Sequence, residues 1–159
     1  NKQTRGVFGE IQLKDIVSKA LPPNTYDFQV LLKNGKRVDC MINLPNPPGP
    51  IAIDSKFPLD SYENLRNSHD EIENKKAIQD FKKSIRFHIN SIAEKYIVNG
   101  ETADGAIMFL PSEAIYAELH ANFSDLVQEG FSKRVLFTNS VTSESTNRNL
   151  IIQFFTLRS

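Results

Sequence analysis

Asn34-Gly35 stands between two segments of strand period, which commits the centre of this chain to an antiparallel hairpin. Residues 25–32 read as the first strand and residues 36–44 as the second. In the second, Val38, Cys40, Ile42 and Leu44 fall on one face and Arg37, Asp39, Met41 and Asn43 on the other. Asn46-Pro47-Pro48-Gly49-Pro50 then forces a loop. A third strand follows, with Ile51, Ile53 and Ser55 on one side and Ala52, Asp54 and Lys56 on the other. If the second and third strands are neighbours, Asp39 and Asp54 face the same way and their carboxylates can reach one divalent ion, with Lys56 alongside. Taken alone, the Asp54-Ser55-Lys56 tripeptide also reads as charges that end a strand in solvent.

Around this meander the period changes. Val7, Phe8, Ile11, Ile16, Val17, Ala20 and Leu21 recur at helical spacing until Pro22-Pro23 ends the helix. Residues 70–98 form a long helical segment with Ile78, Phe81, Ile85, Ile89, Ile92 and Tyr96 on one stripe. Residues 105–110 read as a buried strand, Ser112 as the N-cap of a helix to about 121, 124–130 as another helix and 133–137 as a last strand. The expectation is an α/β sandwich, a mixed sheet flanked by helices.

The 159 residues, 40% of them hydrophobic, suffice for one core, and no apolar run reaches the roughly 20 residues that span a bilayer. Cys40 is alone and falls on an apolar face, so it reads as a core thiol in a reduced, cytoplasmic setting. Three His and one Cys, widely separated, offer no zinc spacing. Nineteen basic and nineteen acidic residues cancel, so any affinity for nucleic acid must come from local patterning. Lys75, Lys82 and Arg86 share one border of the long helix, where they could track a phosphate backbone; a solvated helix face is the ordinary reading. His88 lies on the opposite border, either touching a phosphate or hydrogen-bonded inside the fold, and Lys95 could reach DNA. Tyr96 belongs to the apolar stripe, and Glu10 with Lys14 has the spacing of a surface helix pair.

Gly6-Val7-Phe8-Gly9-Glu10, the hairpin with Val38-Asp39, Ile53-Asp54-Ser55-Lys56-Phe57-Pro58-Leu59-Asp60-Ser61-Tyr62, His88, Lys95-Tyr96 and Phe109-Leu110-Pro111-Ser112-Glu113-Ala114 together resemble the conserved blocks of the bacterial RmuC proteins, from about Arg5 to Phe137. The resemblance implies a restriction-endonuclease-like sandwich of the PD-(D/E)xK superfamily and a role in DNA recombination. It implies that Asp39, Asp54 and Glu10 are metal-binding acids for Mg²⁺ or Mn²⁺, that Lys56 is the catalytic lysine, and that the Ser55 carbonyl is a further ligand. Where many relatives carry Pro before the first aspartate, this chain has Val38. Glu113 is a secondary site candidate within its block.

The nuclease-like core then covers residues 1–138, and residues 139–159 form a divergent tail, a polar run followed by Leu150-Ile151-Ile152-Gln153-Phe154-Phe155. Relatives usually carry a long coiled coil, often behind a membrane anchor. The chain thus looks like an excised domain or a shortened product, with self-association expected through an element it does not contain. Two functions remain open, a metal-dependent deoxyribonuclease and a catalytically inactive DNA-binding or scaffolding module. An α/β protein unrelated to nucleic acid is a third reading.

Overall fold

The computed structural model describes residues 2–140, with side chains from residue 9, and the backbone of two short strands at 142–143 and 148–149. The apolar run at 150–155, like the Val7 and Phe8 side chains, lies outside the described residues. Helix α1 spans Lys2–Ala20 and is followed by a short 3-10 turn, Pro23–Thr25. Strands β1 (Tyr26–Leu31), β2 (Arg37–Ile42) and β3 (Ile51–Asp54) come next, then α2 (Leu59–Arg66) and α3 (Glu71–Tyr96). The core closes with β4 (Ala106–Phe109), α4 (Glu113–Asn122), α5 (Ser124–Ser132) and β5 (Val135–Thr138), and β6 (Thr142–Ser143) pairs with β7 (Arg148–Asn149).

The five-stranded sheet has the order β1-β2-β3-β4-β5. β1, β2 and β3 are antiparallel neighbours, whereas β3, β4 and β5 run parallel and are joined through helices. This is the helix-flanked mixed sheet expected from the sequence, and it is compatible with a restriction-endonuclease-like sandwich. One face carries Val38, Met41, Ala52, Ala106 and Met108 packed against Tyr62, Phe81, Ile85, Ile89, Ile92, Ile115, Leu119 and Leu126 of α2 to α5. The other face carries Cys40, Ile42, Ile51, Ile53, Ile107 and Phe109, covered by Leu13 and Val17 of α1. Cys40 is a buried free thiol, as its alternation implied.

Three local expectations change. The hairpin turn begins one residue early: the Gly35 amide donates to the Leu32 carbonyl (2.9 Å), so Lys33-Asn34 are the central residues, and Gly35 follows with φ 85°. A left-handed glycine after such a turn is the alternative way for an Asn-Gly pair to close a hairpin. Val38 packs with Met41 on the α3 face rather than with Cys40 and Ile42. Pairing runs from Phe28–Cys40 to Val30–Val38 across Gln29, whose φ of 53° twists the ladder and breaks strict alternation there. Finally, α2 is a separate helix that hydrophobic spacing alone does not mark. No helix among the described residues is long and apolar enough to cross a membrane.

Candidate functional site

Because β2 and β3 pair through Cys40–Ile53, the next residues along the ladder are Asp39 and Asp54, at the carboxyl edge of β3. In open sheets of this kind that edge is where ligands bind. Both aspartates are buried, Asp39 at 5% and Asp54 at 4% exposure, which demands compensation for each charge. Asp39 receives it: its Oδ2 accepts from the Ser55 amide and the Ser55 hydroxyl, each at 2.9 Å. Burial pushes its pKa up, but the hydrogen bonds with Asp54 and Ser55, helped by Lys56, outweigh burial and hold it below the usual value.

Asp54 fares differently. Its Oδ1 is buried without a hydrogen-bond partner, the sole side-chain atom of that kind among the described residues. Burial, the hydrogen bond to Asp39 and the repulsion of Asp39 together push the Asp54 pKa up to about 8, against the pull of Lys56 and Lys95. The two carboxyl groups therefore share a proton at neutral pH, as close acidic pairs do.

Glu10 approaches from α1. That approach depends on Gly9, where a Cβ would lie 3.3 Å from the Ser55 carbonyl oxygen, so only a glycine lets the helix come this close to the end of β3 without strain. Gln12 on the same helix donates from Nε2 to the Pro111 carbonyl (2.8 Å), fixing α1 against the loop after β4. Glu10 is raised by burial and then by Asp39, with which it shares a hydrogen bond; Lys14 is a minor influence and instead stands over the Phe28 ring at 5.6 Å. Glu10 is thus drawn to the acidic pair rather than into a surface pair with Lys14.

Lys56 is held above its ordinary pKa: burial opposes its charge, but Asp54, Asp39 and Glu10 sustain it. The ammonium form is thus the one that the ionised acids around it favour. The Tyr96 hydroxyl donates to the Arg37 carbonyl (3.1 Å), and the Asn34 side chain donates to the Lys95 carbonyl (2.9 Å), so two bonds pin the end of α3 to the hairpin. Burial, then Lys56 and Lys95, lower the His88 pKa, placing His88 and both lysines in one neighbourhood.

The five basic candidates on α3 separate by face. Lys82 pairs with Asp125 (2.9 Å), and Arg86 grips Glu129 through Nε and Nη2 (2.8 to 3.1 Å), both partners on α5. Lys75 shares that border, a turn or two away, and is exposed. Arg86 and His88, two positions apart, are separated by roughly 200° around the helix. Lys82 and Arg86 are therefore engaged with α5, whereas Lys95 acts on Asp54 and His88 feels the charges of Lys56 and Lys95. Glu113 is exposed in the first turn of α4, whose N-cap Ser112 accepts from the Ile115 amide. The main influences on Asp54 do not include Glu113.

Two contributors escape a reading of the sequence. The Ser55 side chain joins its amide in cradling Asp39, although only its carbonyl was a candidate; its position between Asp54 and Lys56 was the available signal. The Tyr96 hydroxyl acts as a clamp as well as a core ring.

Carboxylates in contact, one with an unpartnered buried oxygen, suit a hard divalent cation in kind. The contacts run as a chain, Glu10 to Asp39 to Asp54, and among the described residues no group of three or more His, Cys, Asp and Glu side chains is set to hold a metal ion. The donors fit such an ion, and a closed ligand set would require their side chains to turn.

An α/β sandwich with buried paired acids and a lysine at its strand ends defines a class of acid-and-lysine sites. The chain belongs to the RmuC family, whose model matches residues 1–143. It is 30% identical to the "DNA recombination protein RmuC homolog" of Xylella fastidiosa over 98% of the chain and 36% of that protein. It is 28% identical to the homolog of Zymomonas mobilis, over 84% of the chain and 31% of that protein. To the "DNA recombination protein RmuC" of Escherichia coli it is 24% identical, over 89% of the chain and 32% of that protein. The chain therefore spans about a third of the length of these relatives. No solved structure matches it significantly.

Proposed function

We propose that this chain carries the active centre of a divalent-metal-dependent deoxyribonuclease that hydrolyses phosphodiester bonds in DNA recombination or repair, in the cytoplasm of a bacterium. The single observation that carries the reading is the meeting of Asp39, Asp54, Lys56 and Glu10 at one sheet edge with the Asp54 Oδ1 left unpartnered. The names of the relatives supply DNA as the substrate class.

Asp39 and Asp54 would hold Mg²⁺ or Mn²⁺, with Glu10 and the Ser55 carbonyl as further donors. Such an ion, when bound, lowers the pKa of a water and polarises the phosphate. Ser55 fixes the Asp39 carboxylate through two hydrogen bonds, so that this donor does not have to be ordered during the reaction. Lys56, kept charged by the acids around it, offsets the negative charge that grows on the phosphate. Lys95 adds a second ammonium on the same side.

A second reading keeps DNA but drops the chemistry: a catalytically inactive RmuC-like binding or scaffolding module. The open chain of acids, which forms no ready metal group, favours it. Incubation of plasmid and single-stranded DNA with Mg²⁺ or Mn²⁺ separates the two. Cleavage that is lost in chelator and in Lys56→Ala is expected; a folded protein that binds DNA without cutting it under either metal would establish the scaffold instead.

A further inference from the structure

The side of α1 that meets the sheet carries Gly9, Gln12, Leu13, Ile16 and Val17 at three- and four-residue spacing, and among them only Gln12 has a polar side chain. Its Nε2 donates to the Pro111 carbonyl at 2.8 Å, across 99 positions of sequence. Pro111 lies in the turn from β4 to α4, ahead of the N-cap Ser112, so its carbonyl stands outside the hydrogen-bond ladder of α4. Three positions before Gln12, a Cβ on Gly9 would lie 3.3 Å from the Ser55 carbonyl oxygen and 3.9 Å from the Ser55 Cβ. Helix α1 thus rests on the end of β3 through Gly9 and on the end of β4 through Gln12. Ser55 in turn orders Asp39, with its amide and its hydroxyl each donating at 2.9 Å. Leu13 and Val17, at 1% and 0% exposure, supply the burial that keeps α1 on the sheet, but apolar contact is non-directional and does not fix where the helix stops. A side-chain donor on a main-chain carbonyl does fix it, because a hydrogen bond weakens steeply with distance and angle.

We propose that Gln12 is a positioning residue: its bond to Pro111 sets where α1 stops across the ends of β3 and β4, and so keeps Gly9 seated on Ser55 and the Asp39 carboxylate in its cradle. The inference rests on the metal-site reading above for what the ordered carboxylate serves, and it adds the device that orders it. Glu10 follows Gly9 in the chain, so the same seat carries it. The margin is small, because the Gly9 backbone already stands at contact distance from Ser55. Loss of the Gln12 donor leaves the apolar packing of α1 in place and frees the helix to shift along the sheet edge.

The test compares wild-type protein with Gln12→Met, which keeps the length of the side chain and removes the donor, with Gly9→Ala, which sets a methyl against the Ser55 carbonyl, and with the double variant. Ile89→Val on α3 controls for a small general loss of stability. In chelator, hydrogen exchange of the Ser55 amide is expected to quicken about 2- to 10-fold in Gln12→Met, while the Ile107 amide of β4 stays as in the control. Mn²⁺ affinity, read by electron paramagnetic resonance, should fall about 10-fold, and in cleavage kcat should fall with KM for DNA unmoved. Ile89→Val should change none of these. Because Gln12→Met and Gly9→Ala act through one displacement, the double variant should lose no more than the worse single variant. Losses that multiply would overturn the role in favour of two independent stabilising contacts. Ser55 exchange and Mn²⁺ affinity that are unchanged in Gln12→Met would overturn it outright. If wild-type protein binds no Mn²⁺ and Ser55 exchange still responds to Gln12→Met, the metal reading falls and the positioning role stands.

Discussion

At the scale of single residues, the two aspartates show how one hydrogen-bond donor decides the fate of a buried charge. Asp39 has Ser55 and remains an anion; Asp54 has an oxygen with no partner and retains a proton. The folded Asp54 releases that proton near pH 8, whereas an unfolded aspartate releases it near its ordinary value of about 3.9. Between those values the folded state binds the extra proton, so this group makes stability fall as pH rises across the window. In the absence of divalent ions, the wild-type melting temperature should therefore drop between about pH 5 and pH 8, and Asp54→Asn should flatten that drop. Added Mg²⁺ should raise the melting point of the wild type at pH 8 and leave the variant unmoved. A thermal-shift series over pH, with and without Mg²⁺, reads all three, and an equal pH response in both proteins would refute the assignment. The carboxylates themselves were legible in the sequence from alternation and order. The Ser55 cradle was not, because strand period places side chains on faces but says nothing of where a hydroxyl donates.

Among the elements, α3 is the one whose role changes most between sequence and structure. Its apolar stripe was legible, since Phe81, Ile85, Ile89, Ile92 and Tyr96 are all buried. Its charges were not, because whether a basic border meets phosphate or a neighbouring helix depends on α5, more than forty positions along the chain by the separation of 43 between Arg86 and Glu129. Exposed pairs of this kind contribute at most about 1 kcal/mol, so Lys82→Ala with Arg86→Ala should cost little stability. It should also leave the salt dependence of DNA binding unchanged. Lys95→Ala should instead lower the slope of log affinity against log salt by about one. Titrations at several salt concentrations measure this, and a slope reduced by the double variant would put the Lys82-Arg86 border back on DNA.

For the molecule as a whole, the cover of the sheet is lopsided. Four helices pack on one face and α1 packs on the other, and that single helix also brings Glu10 to the site. Truncating Leu13 on α1 or Leu119 on α4 should each cost about 2–5 kcal/mol of stability. Only Leu13→Ala should in addition lower cleavage well below its melting temperature, since it loosens the helix that carries Glu10; equal activity in the two variants would uncouple α1 from the site. The layered architecture was legible because each element keeps its own period, but the face on which Val38 packs was not, because strict alternation fails where Gln29 leaves the ladder. The same interruption governs how molecules meet one another. Among the described residues β1 has no strand on its outer side, and an uninterrupted margin would recruit a foreign strand along its whole length. With Gln29 in a left-handed conformation at the middle of β1, neither half of that margin is long enough to serve as a template, and the protein should stay dispersed at concentrations where a straightened β1 would grow fibrils.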